Sequence, residues 1–550
     1  MAVWEAPDAV RGDGNLVRIR PSDIGAKSGK CAQRLALKVR PGMSRVVDGP
    51  VSRRPSKTSA LGPLYAVLDL IEFDQIPLEE ALTKWRHDPN RRPPHPGLVQ
   101  WTEHAVRGYL AAVAGSAPLA PVSRQWARQR TGLEDGIPVV HEETVTGRRY
   151  EGDGIRELRI PRIKSVDRGP GNPTDGERAE TALAAAVLAD ARPVLSSRWK
   201  PQQQLTLGRF TATAHVRVVE IGCVDASRNV LFEGTPEEAY HLYVRTADER
   251  VRTVKAGGGY HPGQECGTCE LVDICPAVPS RPGFLGVDSP PAQRRSWSMT
   301  TARAYRTCPA RAYLQGLFLP RADAAENTAA TVRGQAVHTA IEELHSRSPV
   351  RACASTDAPG TPEHWRAGRW EVSGFQARLG TQMVGDHALV CPLHGLPGDA
   401  QVYPERSLVV HDPEADVVVV AKTDLLYRRM DTWFLRETKT TRSLDESDPL
   451  VTYPQLALAL LLAHEGAVPG TTEGGTTGCR VELERLTGSG PVLTELEGED
   501  GELLSQARRI VTDHVTPWHA DQEYVAGPGK HCETCPVIQW CPDRAGRSAT

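Results

Sequence analysis

The chain has 550 residues, 40% of them hydrophobic, and a formal net charge of −3. That is enough apolar matter for large packed cores, and the charge excludes a generally sticky polycation, so any nucleic-acid contact must come from local basic surfaces. The longest apolar run, Leu456 to Ala463, is far too short to span a bilayer, and the opening MAVWEAPDAVRGDG has no apolar leader segment, so a cytoplasmic, reducing setting without membrane contact is expected.

In chain order, the first stretch is basic, with Arg18, Arg20, Lys27, Lys30, Arg34, Lys38, Arg40 and Arg45 around Cys31. Phosphate contacts and a solvated basic face explain it about equally well. His104 lies on a helix-like segment, WTEHAVRGYLAA, and reads as a surface histidine. A helical pattern at 177–191 and a strand-like run at 215–224 follow, and then the group Cys266, Cys269 and Cys275. Residues 276–296 are rich in proline, glycine and serine and read as the junction between halves. The expected domains are 1–285 and 297–550, with a linker at 286–296.

The second half opens on Cys308, then a helical pattern over 331–346 with Val337, Ile341 and Leu344 as its apolar stripe and His338 at the stripe's edge. Strand-like runs at 417–427 and 432–438 flank a polar turn at 428–431. Along the second run Glu437 and Lys439 share a face, because strand side chains alternate. Pairing Tyr427 with Thr432 would set Asp424 opposite Leu435, diagonal to Glu437. Two carboxylates and an ammonium would then converge, a donor set suited to a hard cation such as Mg²⁺. An apolar helix at 454–464 follows, preceded by Tyr453 and containing Gln455. Helices and strands mix in both halves, so each reads as α/β or α+β.

Eight of the twelve cysteines form two sets of one layout, a lone cysteine and a distant C-x2-C-x5-C: Cys31 with Cys266, Cys269 and Cys275, and Cys308 with Cys532, Cys535 and Cys541. Four thiolates suit zinc or an iron–sulfur cluster. Cys223, Cys353, Cys391 and Cys479 lack partners at ligand spacing and read as ordinary thiols.

The order of motifs in the second half resembles the PD-(D/E)xK nuclease superfamily, in its RecB-like branch with a cluster-bearing nuclease domain, as in AddB-type subunits and CRISPR-associated adaptation exonucleases. The matching stretches are S-x-T-x4-Y-x2-C-P at 298–309, G-x2-V-H at 334–338, T-D-L-L at 423–426, E-T-K at 437–439, Y-P-Q-L at 453–456 and C-x2-C-x5-C-P at 532–542. The resemblance implies a restriction-endonuclease-like α/β core, a mixed central sheet flanked by helices. It implies that His338, Asp424, Glu437 and the Thr438 carbonyl hold Mg²⁺ or Mn²⁺, that Lys439 positions the attacking water, and that Gln455 and Tyr453 support the site or touch the DNA strand. It also implies a [4Fe-4S] cluster on the second cysteine set, with a further cluster, or zinc, on the first. Where the branch often shows Q-x3-Y, this chain has Ala459 after Gln455.

The repeated cysteine layout points to an internal duplication. No acid stands two residues before any lysine of the first half, and Glu220-Ile221-Gly222 is found where E-x-K is expected, so that half reads as a related, degenerate α/β copy that binds DNA or a partner. No P-loop is present, so DNA unwinding would need a separate helicase or ATPase, or another subunit of a defence complex. The expected activity is metal-dependent DNA cleavage in repair, recombination or antiphage defence. The contrasting expectation is a non-catalytic DNA- or protein-binding scaffold.

Overall fold

The computed structural model describes residues 4–25, 30–46, 59–115, 119–134, 136–167, 173–196, 204–288, 293–322, 328–444, 447–468, 479–498 and 500–544. Lys27 and residues 289–292 of the expected linker lie outside them. The chain divides into two compact units. One comprises Met1–His261 with Tyr313–Pro320 and Trp540–Pro542, and the other Pro262–Ala312 with Arg321–Gln539 and Asp543–Thr550. The proline-rich stretch 276–296 therefore lies within the second unit. There Arg281 N–H donates to the His411 carbonyl at 2.8 Å, and Arg294 bonds both Asp273 (3.0 Å) and Asp416 (2.8 Å).

The first unit packs two five-stranded sheets around the helix Asp175–Ala189. This helix starts at a capping box, in which Thr174 accepts from Glu177 N–H and the Glu177 carboxylate accepts from Thr174 N–H. Its alanine-rich body, buried on nearly every face, lets the sheets approach closely. One sheet has the strand order Ala120–Pro121, Arg148–Gly152, Ile155–Arg162, His215–Gly222, Arg228–Gly234.

The second unit repeats that order. Its main sheet runs Val402–Pro404, Leu425–Arg429, Thr432–Thr440, Cys479–Thr487, Gly490–Glu497. In both units the second and third strands form a hairpin, the third pairs parallel with the fourth, and the fourth and fifth pair antiparallel. Both parallel crossovers contain a buried helix, Asp175–Ala189 in one and Pro454–His464 in the other. In Pro454–His464 every residue from Leu456 to Ala463 is buried, so the helix shows no one-sided stripe.

Two details of the hairpin region differ from the sequence expectation. The run 417–427 is two strands in two sheets. Val417–Lys422 joins Arg295–Trp297 and Ser407–Asp412, and the chain crosses at Thr423 and Asp424 into Leu425–Arg429. The hairpin is also tighter than a four-residue turn allows. Arg429 pairs with Thr432 and Leu426 with Leu435, and Met430 takes a left-handed φ of 52° in the two-residue turn. The two-position shift carries Asp424 past Leu435 and alongside Glu437.

The same hairpin register, applied to the first unit, corrects the expected counterpart of E-T-K. Arg148 pairs with Arg159 as Leu425 pairs with Arg436. Gly147 and Ile160 thus stand where Asp424 and Glu437 stand, and Arg162 stands at the place of Lys439. Glu220 belongs to the neighbouring strand and accepts from Arg162 Nε at 2.7 Å.

Candidate active site

In the second unit, the segment 423–424 and the far end of Thr432–Thr440 meet under the helix Ala329–His345. Gly334 allows the approach, since a Cβ there would lie 2.9 Å from Thr440 Oγ1. One turn further on, His338 reaches the same place, with Nδ1 3.7 Å from Asp424 Oδ1. Asp424 Oδ2 accepts from Thr438 N–H at 2.7 Å. Lys439 Nζ donates to Glu437 Oε2 at 2.9 Å and to the Thr438 carbonyl at 3.1 Å, and lies 3.5 Å from Asp424 Oδ2. His338, Asp424, Glu437, Thr438 and Lys439 therefore gather at one place, although the hairpin register differs from the expected one.

Burial and neighbouring charges set the protonation of these groups. Burial pushes the Glu437 carboxyl up to about 7, with Lys439 pulling the other way and Asp424 adding to the rise. Burial opposes the charge of Lys439, but Glu437 and Asp424 outweigh it and hold the ammonium above its ordinary range. Burial lowers His338, which keeps a neutral imidazole with a lone pair to offer. The lysine ammonium between two carboxylates marks where positive charge is required. The imidazole, the two carboxylates and the carbonyl around it are the nitrogen and oxygen donors a divalent cation takes. Glu405, which the sequence does not single out, adds a further negative charge that acts on both His338 and Glu437, and it pairs with Lys422. It lies in a loop with a left-handed φ of 54°, and no spacing in the sequence marks it.

Tyr453 and Gln455 sit at the start of the helix Pro454–His464. Tyr453 packs on the core, and the half-buried Gln455 has an unbonded Oε1. Among the described residues neither bonds to His338, Asp424, Glu437 or Lys439. Ala459 is buried in the core. Ser298 caps the helix Met299–Thr307 by accepting from Thr301 N–H, and Tyr305 OH donates to Asp521 at 2.9 Å. These two motif residues anchor the fold.

The cysteine sets fall as follows. Cys31 starts the helix Ala32–Lys38 in the first unit, while Cys266, Cys269 and Cys275 belong to the second. Cys308 ends the helix Met299–Thr307, and Cys308 and Cys532 lie near enough to Cys535 to add to the rise that burial imposes on its thiol. Cys541 belongs to the first unit. The two C-x2-C turns share one conformation: Gly263 N–H donates to Cys266 Sγ at 3.3 Å and Gly529 N–H to Cys532 Sγ at 3.4 Å.

Two cysteines expected to be ordinary thiols are not isolated. Cys353 and Cys391 lie with His345 and His387 in a buried cluster whose ligand atoms are all within 4.8 Å of one another. A hydrogen bond from Cys353, and then those from His345 and His387, hold the Cys391 thiol well below its usual range. The only signal in the sequence is His387-x3-Cys391, one helical turn, with the other two ligands supplied by the end of a different helix and a loop.

Among known proteins, residues 296–542 match the family model described as PD-(D/E)XK nuclease superfamily. The C-terminal region is a domain of that superfamily, with a restriction-endonuclease-like α/β core. Such domains are generally nucleases that use divalent metals and act on DNA. A solved structure titled "Crystal structure of SSO0001" aligns with 45% of this chain and 98% of its own at 14% identity, with a TM-score of 0.19. No curated protein matches the chain. No helix among the described residues is long and apolar enough to cross a membrane.

Proposed function

We propose that the C-terminal domain hydrolyses DNA phosphodiester bonds with Mg²⁺ or Mn²⁺. The observation that supports the reading is the convergence of Asp424, Glu437, the Thr438 carbonyl and His338 around the Lys439 ammonium. Those four groups would hold the cation, which would supply Lewis-acid neutralisation of the charge that builds on the scissile phosphate. Lys439 orients the attacking water by donating hydrogen bonds from a nitrogen that its two carboxylate neighbours keep protonated. His338, kept neutral by burial, offers a lone pair where an imidazolium would repel the cation. Thr438 N–H fixes the rotamer of Asp424. Tyr453 and the unbonded Oε1 of Gln455 support the site or touch the DNA strand.

The finer assignment is to the RecB-like, cluster-bearing branch. Cys308, Cys532, Cys535 and Cys541 would carry a [4Fe-4S] cluster, and Cys31, Cys266, Cys269 and Cys275 a second one or zinc. In the first half Gly147 and Ile160 replace both acids, which supports a silent copy that docks DNA or a partner, with a separate helicase or defence-complex subunit supplying any unwinding. Repair, recombination and antiphage defence are the settings in which such an enzyme would act. Iron and sulfide assays on protein purified without oxygen test the clusters. Zinc without iron would remove them.

The activity is tested by incubating the anaerobically purified full chain with single- and double-stranded DNA in Mg²⁺, Mn²⁺ or a chelator. Cleavage that the chelator abolishes and that Lys439→Ala lacks supports the reading. Intact DNA under every condition would leave a DNA- or protein-binding scaffold. Because Glu437 must be ionised to take a cation, cleavage at limiting Mg²⁺ should rise with pH up to about 7 and then level off, which a pH–rate profile checks. The same shift acts on stability in the opposite sense. Protonated Glu437 favours the metal-free fold, and that contribution is lost as pH rises from its ordinary 4.5 through about 7.

A further inference from the structure

The cluster of His345, Cys353, His387 and Cys391 takes no part in the chemistry above, and all four side chains are buried. His345 ends the helix Ala329–His345, Cys391 caps the helix Gly374–Val390 with His387 one turn before it, and Cys353 comes from the intervening loop. His345 Nε2 lies 3.1 Å from His387 Nε2 and 3.9 Å from Cys391 Sγ, and Cys353 N–H donates to Cys391 Sγ at 3.3 Å. Around a tetrahedral zinc, bond lengths of about 2.0–2.3 Å set ligand atoms roughly 3.3–3.8 Å apart. The Nε2–Nε2 and Nε2–Sγ separations are close to that, and all four ligand atoms lie within 4.8 Å of one another. His387 Nδ1 is bonded to Glu484 Oε1 at 2.6 Å, with both side chains wholly buried. That bond places the Nδ1 proton toward the carboxylate and leaves Nε2 facing the cluster, the carboxylate–histidine arrangement that orients metal ligands.

The bland alternative is a pair of hydrogen-bonded imidazoles beside two thiols in an apolar core. That pairing satisfies the two Nε2 atoms but does not account for two thiols converging on them within a cluster of Val337, Ile341, Trp365 and Met383. We propose that these two histidines and two cysteines bind one structural Zn²⁺, independent of the nuclease reading and of the two four-cysteine sets. The ion would tie the helix that bears His338 to the helix Gly374–Val390. Through Glu484, whose Oε2 accepts from Thr438 Oγ1 at 3.2 Å, it would also reach the E-T-K strand.

The test is elemental analysis of the full chain purified without oxygen, wild type against Cys353→Ser/Cys391→Ser. The site predicts one zinc fewer per chain in the variant, with iron and sulfide unchanged. Equal zinc in both proteins would overturn it. Should the variant fail to fold, a zinc-edge anomalous map from wild-type crystals decides. A peak bonded to both Sγ atoms and both Nε2 atoms supports the site. An empty centre, another metal or a Cys353–Cys391 disulfide there rejects it.

Discussion

Glu437→Gln is expected to lower metal-dependent DNA hydrolysis by about 10²–10⁴-fold while the fold persists, the range lost when one group acting on the transition state is removed. The amide has nearly the volume of the carboxyl, so the buried site is neither emptied nor overfilled. Lys439 keeps Asp424 at 3.5 Å and the Thr438 carbonyl at 3.1 Å. What disappears is one anionic oxygen donor, and with it much of the attraction for a divalent cation. The loss should appear as weaker Mn²⁺ binding by calorimetry and as a kcat that excess Mn²⁺ restores only in part, with an unchanged circular dichroism spectrum. Activity within tenfold of wild type would remove Glu437 from the chemistry.

Glu484→Ala should be the most damaging single change to stability, at about 3–5 kcal/mol, the cost of breaking a buried charge pair by removing one partner. Glu484 is fully buried, holds His387 Nδ1 and Thr438 Oγ1, and lies 3.6 Å from Arg436 Nη1. Removing it leaves the His387 Nδ1 proton and the Thr438 hydroxyl buried without their acceptor. Arg436 retains Glu482 at 2.7 Å, so the damage concentrates on His387 and the E-T-K strand. Thermal melting should fall by about 6–20 °C, at roughly 2–4 °C per kcal/mol for a unit of this size. Activity should fall with it, since Thr438 loses a tether. A melting point within about 2 °C of wild type would contradict this account of the buried network.

Much of the site was legible because motif order and strand alternation are local properties. Glu437 and Lys439 share a face whatever the sheet does, and His338 sits at the edge of an apolar stripe that can be read from the chain. The register was not legible. Whether a hairpin turn holds two residues or four depends on Met430 accepting a left-handed φ, a conformation methionine seldom takes and composition does not announce. Within 417–427 the polar break Lys422-Thr423-Asp424 stands where the chain changes sheet, but the apolar runs on either side do not tell which sheet each joins, because buried strands look alike wherever they pair. Cys391 has only His387 as a local partner; His345 and Cys353 come from other elements, so tertiary packing and not spacing completes the four. In the first half residue spacing alone points to Glu220 as the counterpart of Glu437. The hairpin register points instead to Ile160 and Arg162.

Manganese-edge anomalous scattering from crystals of the full chain soaked in Mn²⁺ is the most direct test of the cation site. The prediction is a peak within bonding reach of Asp424, Glu437 and the Thr438 carbonyl, with His338 turned toward it. Manganese bound elsewhere while those side chains stay as they are would contradict it.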